Sequence, residues 1–147
     1  MNGRKLTGWL LIVGIIAAVA MIFLEPAGTS DGADSADEAI TNIVNAANQY
    51  KASGAMGLLG FTMLFFGLSY YARRNQGEAQ PDVVNMASSL ALLALPLMAA
   101  AVALSSGITF AEMAPVAESL YQITELLFMG MISLVGLSFF LLAVGLF

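Results

Sequence analysis

Residues 6–24, LTGWLLIVGIIAAVAMIFL, carry no charged side chain, and this constrains the fold more than any other feature of the chain. An α-helix rises about 1.5 Å per residue, so such a segment covers nearly the whole hydrocarbon core of a bilayer, about 30 Å. Similar apolar segments follow at residues 52–72, 83–104 and 120–147. The sequence therefore predicts an all-α membrane protein, a four-transmembrane-helix bundle that forms a single domain over residues 1–147.

Charge supports this class of protein. Only 10% of the residues are charged, whereas an ordinary soluble domain carries about 25%. Arg4 and Lys5 precede the first span, as basic residues do in a signal peptide. The apolar segment is longer than the usual signal-peptide core of about 7–15 residues. We therefore expect an uncleaved membrane anchor.

Basic residues also predict the orientation. Arg4 and Lys5 lie before the first span, and Arg73 and Arg74 follow the second. Residues 25–50 between these spans carry acidic side chains and no basic one. Since basic residues favour the cytoplasmic side, the sequence predicts a multi-pass protein of the cell (inner) membrane with both termini cytoplasmic.

The first outer loop, residues 25–51, contains a predicted short amphipathic helix. Ser35 and Glu38 form the pattern S-x-x-E, a capping box at a helix start. Apolar residues then recur at helical spacing: Ile40, Ile43, Val44 and Ala47. Their stripe either rests on the chain's own helices or the lipid interface, or docks a partner subunit, and we favour the first interpretation.

The chain lacks the residue types that most enzymes use. It has no Cys and no His, which excludes thiolate and His-ligated metal sites and every His-dependent triad. No ionisable residue lies near the middle of a span, where ion-coupled transporters usually place one. We expect no enzymatic activity, no catalytic residue, no metal site and no cofactor.

Small residues mark possible helix-packing faces. One face of the second span carries Ser53, Gly57, Gly60 and Gly67, and the fourth span carries Gly130, Ser133 and Gly136. Such faces let another helix backbone approach closely in lipid. Whether the neighbour belongs to the same chain or to another copy stays open at this stage.

A polar cluster is predicted at the outer end of the fourth span. Glu118, Gln122 and Glu125 share one helix face, and their two carboxylates lie about 10 Å apart along the axis. That separation is too large for a two-metal pair at about 3.5–4 Å. Lys51 is the one basic residue of the outer segments, and we expect it to pair with Glu125 or Glu118. Glu125 itself is expected at headgroup level, at the outer boundary of the bilayer.

Three functional interpretations follow, of which the least favoured is a membrane enzyme that acts on lipid through carboxylates. The favoured one is a non-catalytic structural or accessory subunit of a larger membrane complex, or a homo-oligomeric assembly. The alternative is a small oligomeric channel or transporter with a pore between copies, lined by Thr62, Ser88, Ser89 and Ser133. The expected partners are the lipid bilayer and other membrane subunits or further copies of the chain, and no nucleic acid.

Overall fold

The computed structural model describes residues 3–29, 33–74, 81–110 and 114–146, and these residues are mostly helical. They form five helices: α1 (Gly3–Leu24), α2 (Ala36–Asn45), α3 (Ala47–Arg74), α4 (Pro81–Ile108) and α5 (Ala114–Leu146). All but α2 are long and apolar enough to cross a membrane. The prediction of an all-α chain with four helices able to span a bilayer is confirmed.

The long helices extend beyond the apolar segments from which they were predicted. Helix α3 begins at Ala47, and only Ala46 separates it from the end of α2 at Asn45. Helix α4 starts at Pro81, a residue well suited to a first helical turn because its missing N–H needs no partner there. These extra turns are polar, so hydropathy alone does not reveal them.

The long helices contact one another in the order α1, α3, α4, α5. Among the described residues, the backbone of α1 approaches only that of α3, and that of α5 approaches α4 and α2. Helices α3 and α4 are therefore the inner members and α1 and α5 the outer ones. Closure of the four spans into a bundle stays a prediction.

Glycines bring α1 and α3 into backbone contact. A Cβ atom added at Gly14 would lie 2.6 Å from the backbone nitrogen of Leu64. One added at Gly60 would meet the backbone of Ala18 and lie 2.9 Å from the carbonyl carbon of Ala17. The two helices can pack this closely only because neither glycine carries a side chain.

The main apolar core lies between α3, α4 and α5. Its buried members are Phe65, Ala91, Ala94, Met98 and Met131. Nearer the end of α5, the Ser138 hydroxyl donates a hydrogen bond of 2.7 Å to the carbonyl oxygen of Ala87 in α4. Hydrogen bonds between membrane helices contribute about 0.6 kcal/mol on average, so packing supplies most of the stability of this contact.

Helix α2 lies against the ends of α4 and α5. Its N-cap residue Ser35 accepts a hydrogen bond from the Glu38 N–H, and the Glu38 carboxylate accepts one of 2.9 Å from the Asp34 N–H. Ile43 is fully buried beside Ile108 and Ala117. Of the predicted apolar stripe, Ile43 therefore packs on the chain's own helices, whereas Val44 is 48% exposed.

Charged residues are divided between the two ends of the molecule. Gly67 of α3 packs on Leu10 and Leu11 of α1, while Gly60 packs near Ala17, so the two helices are antiparallel. The start of α1 and the end of α3 therefore share one end, the basic end, with Lys5, Arg73 and Arg74. The acidic end holds α2 together with Glu25, Lys51, Glu118 and Glu125.

Candidate functional site

Polar side chains from three long helices meet at the acidic end. Ser105 near the end of α4 and Tyr121 and Glu125 in α5 lie around Tyr50 at the start of α3. Together with Lys51, the next residue of α3, we call them the acidic-end cluster. Each helix has its terminus here because the neighbouring helices are antiparallel. The cluster brings Lys51 and Glu125, two of the residues predicted from the sequence, to the same region of the molecule.

Tyr50 is the centre of this cluster. The Ser105 side chain lies beside its hydroxyl, and the Ser105 hydroxyl donates a hydrogen bond of 3.0 Å to the Val102 carbonyl oxygen of its own helix. Glu25, Glu125 and Tyr121 lie close enough to Tyr50 to interact with it electrostatically. Tyr50 of α3 therefore lies close to side chains of α4, of α5 and of the segment that follows α1.

Lys51 has an aromatic neighbour that the sequence did not predict. Its Nζ atom lies 3.8 Å from the centroid of the Phe110 ring, within the range of a cation–π interaction. Phe110 is 73% exposed, so we expect this contact to contribute only about 0.5–1 kcal/mol. The ion pair between Lys51 and Glu125 or Glu118 stays a prediction.

Glu118 and Gln122 form a separate polar pair on the surface of α5. The Gln122 side-chain amide donates a hydrogen bond of 3.2 Å to the Glu118 carboxylate, and both residues are exposed. This i, i+4 contact is local to the helix and stabilises it by a few tenths of a kcal/mol, about 0.2–0.5. Glu125 is less exposed than either residue.

The chain segment after α1 lies beside the cluster. The Thr29 hydroxyl donates to the Pro26 carbonyl oxygen at 2.8 Å and lies 3.0 Å from the Glu25 carboxylate. Gly28 has a positive φ of 72°, and its carbonyl oxygen accepts a hydrogen bond of 2.9 Å from the Asn42 side chain of α2. These bonds connect α2 to the end of α1.

Thr124 places one unsatisfied hydroxyl inside the contact surface of α5. The residue is 2% exposed, and its Oγ1 atom has no hydrogen-bond partner among the described residues. An unpaired buried hydroxyl costs roughly 1–3 kcal/mol. Thr124 is therefore a weak point of the packing near the acidic-end cluster.

The cluster contains two phenols, one aliphatic hydroxyl, one carboxylate and one ammonium group. Within the ranges that the structure describes, no three His, Cys, Asp or Glu side chains come together to hold a metal ion. The arrangement connects four segments of the chain through polar contacts. Its clearest physical role is to position helix ends at the membrane surface.

The predicted packing face of α3 lies inside the chain. Ser53, Gly57, Gly60 and Gly67 are all buried. A Cβ atom at Gly57 would meet the Met21 side chain of α1 and lie 3.2 Å from the Met98 Cε atom of α4. The neighbour of this face, which the sequence left open, is therefore within the same chain, mainly α1.

Sequence reasoning missed several residues at both of these places. No sequence pattern singled out Tyr50, Ser105 or Phe110. Gly14 and Ala18 form a small-xxx-small pair on α1, which was the available signal for the partner of Gly60. Because nearly every residue of that helix is apolar, no other feature distinguishes its packing face.

Comparisons of the chain with protein-family models, with curated proteins and with solved structures found no match. Function is therefore inferred from the residues and geometry of this chain alone.

Proposed function

We propose that this chain is a non-catalytic membrane protein that acts as a structural or accessory subunit, in a larger membrane complex or in an assembly of its own copies. The supporting observation is the outer face of α5. Ser133 and Gly136 are exposed there, and a Cβ atom added at Gly136 would meet nothing within 4 Å. Small residues that point away from the chain's own core suit close packing with another membrane helix.

The small-residue face of α3 is not available to a partner, which leaves the outer face of α5 as the proposed contact surface. Because α1 already covers the face of α3 around Gly57 and Gly60, that face has no room for a partner helix. The outer face of α5 continues with exposed apolar side chains: Met129, Ile132, Leu137 and Phe140. A partner would therefore find a shallow small-residue groove bordered by large side chains.

The channel alternative uses the same assembly and differs in what the assembly does. Of the hydroxyls proposed to line its pore, Ser88 is only 7% exposed. Ser89 and Ser133 are exposed and donate hydrogen bonds to the carbonyl oxygens of Asn85 and Met129 on their own helices. Donors already used within a helix are less available to permeating ions or water, which favours the structural role.

The proposed location is the cell membrane, with the basic end and both termini on the cytoplasmic side. Lys5, Arg73 and Arg74 support this orientation through the positive-inside rule. Helix α2 and the acidic-end cluster would then lie at the outer surface. In that arrangement the cluster faces partners or solvent outside the cell.

A mass measurement tests the assembly. Tagged protein extracted from its native membrane in mild detergent is analysed by native mass spectrometry for its mass and its co-purifying proteins. We expect a defined complex, and we expect Gly136→Leu to disrupt it by filling the open face. Gly8→Leu is the matched control, because a Cβ atom at Gly8 also meets nothing within 4 Å but lies on α1.

Three outcomes would contradict the proposal. A monomer without co-purifying proteins would contradict the proposed assembly. An intact complex of Gly136→Leu would show that the outer face of α5 is not the contact surface. A defined ring of identical chains that conducts ions in liposomes would establish the channel alternative.

A further inference from the structure

A groove opens between α3 and α4 near the basic end. It has a volume of about 110 Å³ and is lined by Phe66, Ser69, Tyr70, Arg73 and Leu92. The first four residues follow helical spacing along one face of α3, and Leu92 comes from α4. Both helices are long and apolar enough to span a bilayer, and in a bilayer lipid could reach a groove between them.

The groove changes character along the helix axis. Phe66 and Arg73 are two turns apart, which corresponds to about 10 Å. Gly54 packs on Val102 and Gly57 on Met98, so α3 and α4 are antiparallel, and Leu92 lies near the depth of Phe66. One end of the groove is therefore aromatic and aliphatic, and the end nearer the membrane surface carries a guanidinium group.

This polarity matches that of a phospholipid. Arg73 and Arg74 are exposed at the last turn of α3, and Lys5 is exposed at the same end of the molecule. A basic residue next to an anionic membrane surface contributes about 1 kcal/mol of attraction. A guanidinium group also binds phosphate through two parallel N–H bonds, which a single ammonium group does not.

We propose that this groove binds one anionic glycerophospholipid. Its phosphate contacts the Arg73 guanidinium at the membrane surface, beside the Tyr70 and Ser69 hydroxyls, and an acyl chain lies along Phe66 and Leu92. The groove is smaller than the pockets of about 300–1,000 Å³ that enclose small molecules. It therefore holds only part of the lipid, and the remainder stays in the bilayer.

A soluble anion fits this groove less well than a lipid. Inorganic phosphate would use Arg73 but leave the apolar end around Phe66 and Leu92 without a ligand. A lipid uses both ends at once and reaches the groove directly from the membrane. The inference is independent of whether the chain assembles through α5.

Native mass spectrometry of the detergent-solubilised full chain, titrated with single lipids, tests the proposal. We expect phosphatidylglycerol to bind more tightly than phosphatidylcholine by about fivefold or more, the factor that corresponds to about 1 kcal/mol. Arg73→Gln should remove this preference. Arg74→Gln changes the charge equally but alters a residue outside the groove lining, so it should leave the preference within about twofold of wild type.

A second pair of variants tests the apolar end. Phe66→Ala should weaken the binding of both lipids, whereas Phe139→Ala on α5 should not, although both phenylalanines are 46% exposed. Arg73→Lys keeps the charge without the bidentate geometry and should give an intermediate preference. Circular dichroism and thermal unfolding check that each variant folds, and Arg73→Lys replaces Arg73→Gln if the latter does not.

Several results would overturn the proposal. Equal affinity for the two lipids would do so, as would equal losses from Arg73→Gln and Arg74→Gln, which would indicate general surface charge. Displacement of phosphatidylglycerol by equimolar inorganic phosphate would show that the groove binds a free anion rather than a lipid. Unchanged lipid binding by Phe66→Ala would show that Phe66 does not contact an acyl chain.

Discussion

Gly60 shows how much a single missing side chain determines in this molecule. Its backbone meets that of Ala18, and on the neighbouring turn Gly14 meets Leu64. Any side chain at these positions would have to push α1 away from α3. Helix α1 has backbone contacts with α3 only, as far as the described residues go, so its attachment depends on the interface with α3.

We therefore expect Gly60→Ala to destabilise the folded chain by about 1–3 kcal/mol, the usual cost of overpacking. Gly8→Ala is the control, because its Cβ atom meets nothing within 4 Å. Both variants are compared with wild type by reversible unfolding in mixed micelles. Equal stabilities of the two variants would show that α1 and α3 do not pack through Gly60.

Lys51 has more than one possible partner, and double-mutant cycles separate them. We expect Lys51→Met to lower the free energy of unfolding, with a coupling of about 0.5–1 kcal/mol to Phe110→Ala from the cation–π contact. If the predicted ion pair forms, Lys51→Met also couples to Glu125→Gln or Glu118→Gln. The same unfolding assay measures all cycles, and an unchanged stability in Lys51→Met would contradict both contacts.

Among the elements, α2 is held by few contacts and Ile43 is its main apolar anchor. Ile43 is fully buried, whereas its neighbour Val44 is 48% exposed. We expect Ile43→Ala to weaken the docking of α2 by about 2 kcal/mol, the lower end for truncating a buried isoleucine. Hydrogen exchange of the α2 amides should then accelerate about 30-fold.

Val44→Ala is the matched control for this prediction, because it removes apolar atoms from the exposed side of the same helix. Its amides should exchange at nearly the wild-type rate. Equal acceleration in both variants would mean that the buried contact of Ile43 with Ile108 and Ala117 does not hold α2 in place.

The elements also show what the sequence could and could not predict. Long uncharged segments reveal spans because the requirement for about 20 apolar residues acts along the chain. The cap at Ser35 was also predictable, because its pattern too lies within a short stretch of the chain. The approach of Ser105 to Tyr50 and the packing of Gly14 on α3 depend instead on how separate helices are rotated and aligned. In α1 nearly every residue is apolar, so no contrast marks the inner face.

At the scale of the whole molecule, charge is arranged along one axis. Lys5, Arg73 and Arg74 lie at the basic end, and α2 with most of the described carboxylates lies at the acidic end. The proposed lipid groove belongs to the first end and the acidic-end cluster to the second. Both assignments depend on four helices that cross the bilayer with the basic end in the cytoplasm.

Single-cysteine labelling tests this topology, because the chain contains no native cysteine. Four exposed positions alternate along the chain between the two ends: Gly3, Asp37, Asp82 and Glu118. Each is replaced by cysteine and treated in intact cells with a membrane-impermeant maleimide. We expect labelling of Asp37→Cys and Glu118→Cys in intact cells, and of Gly3→Cys and Asp82→Cys only after lysis. Labelling of all four variants in intact cells, or the reverse pattern, would contradict a topology with the basic end in the cytoplasm.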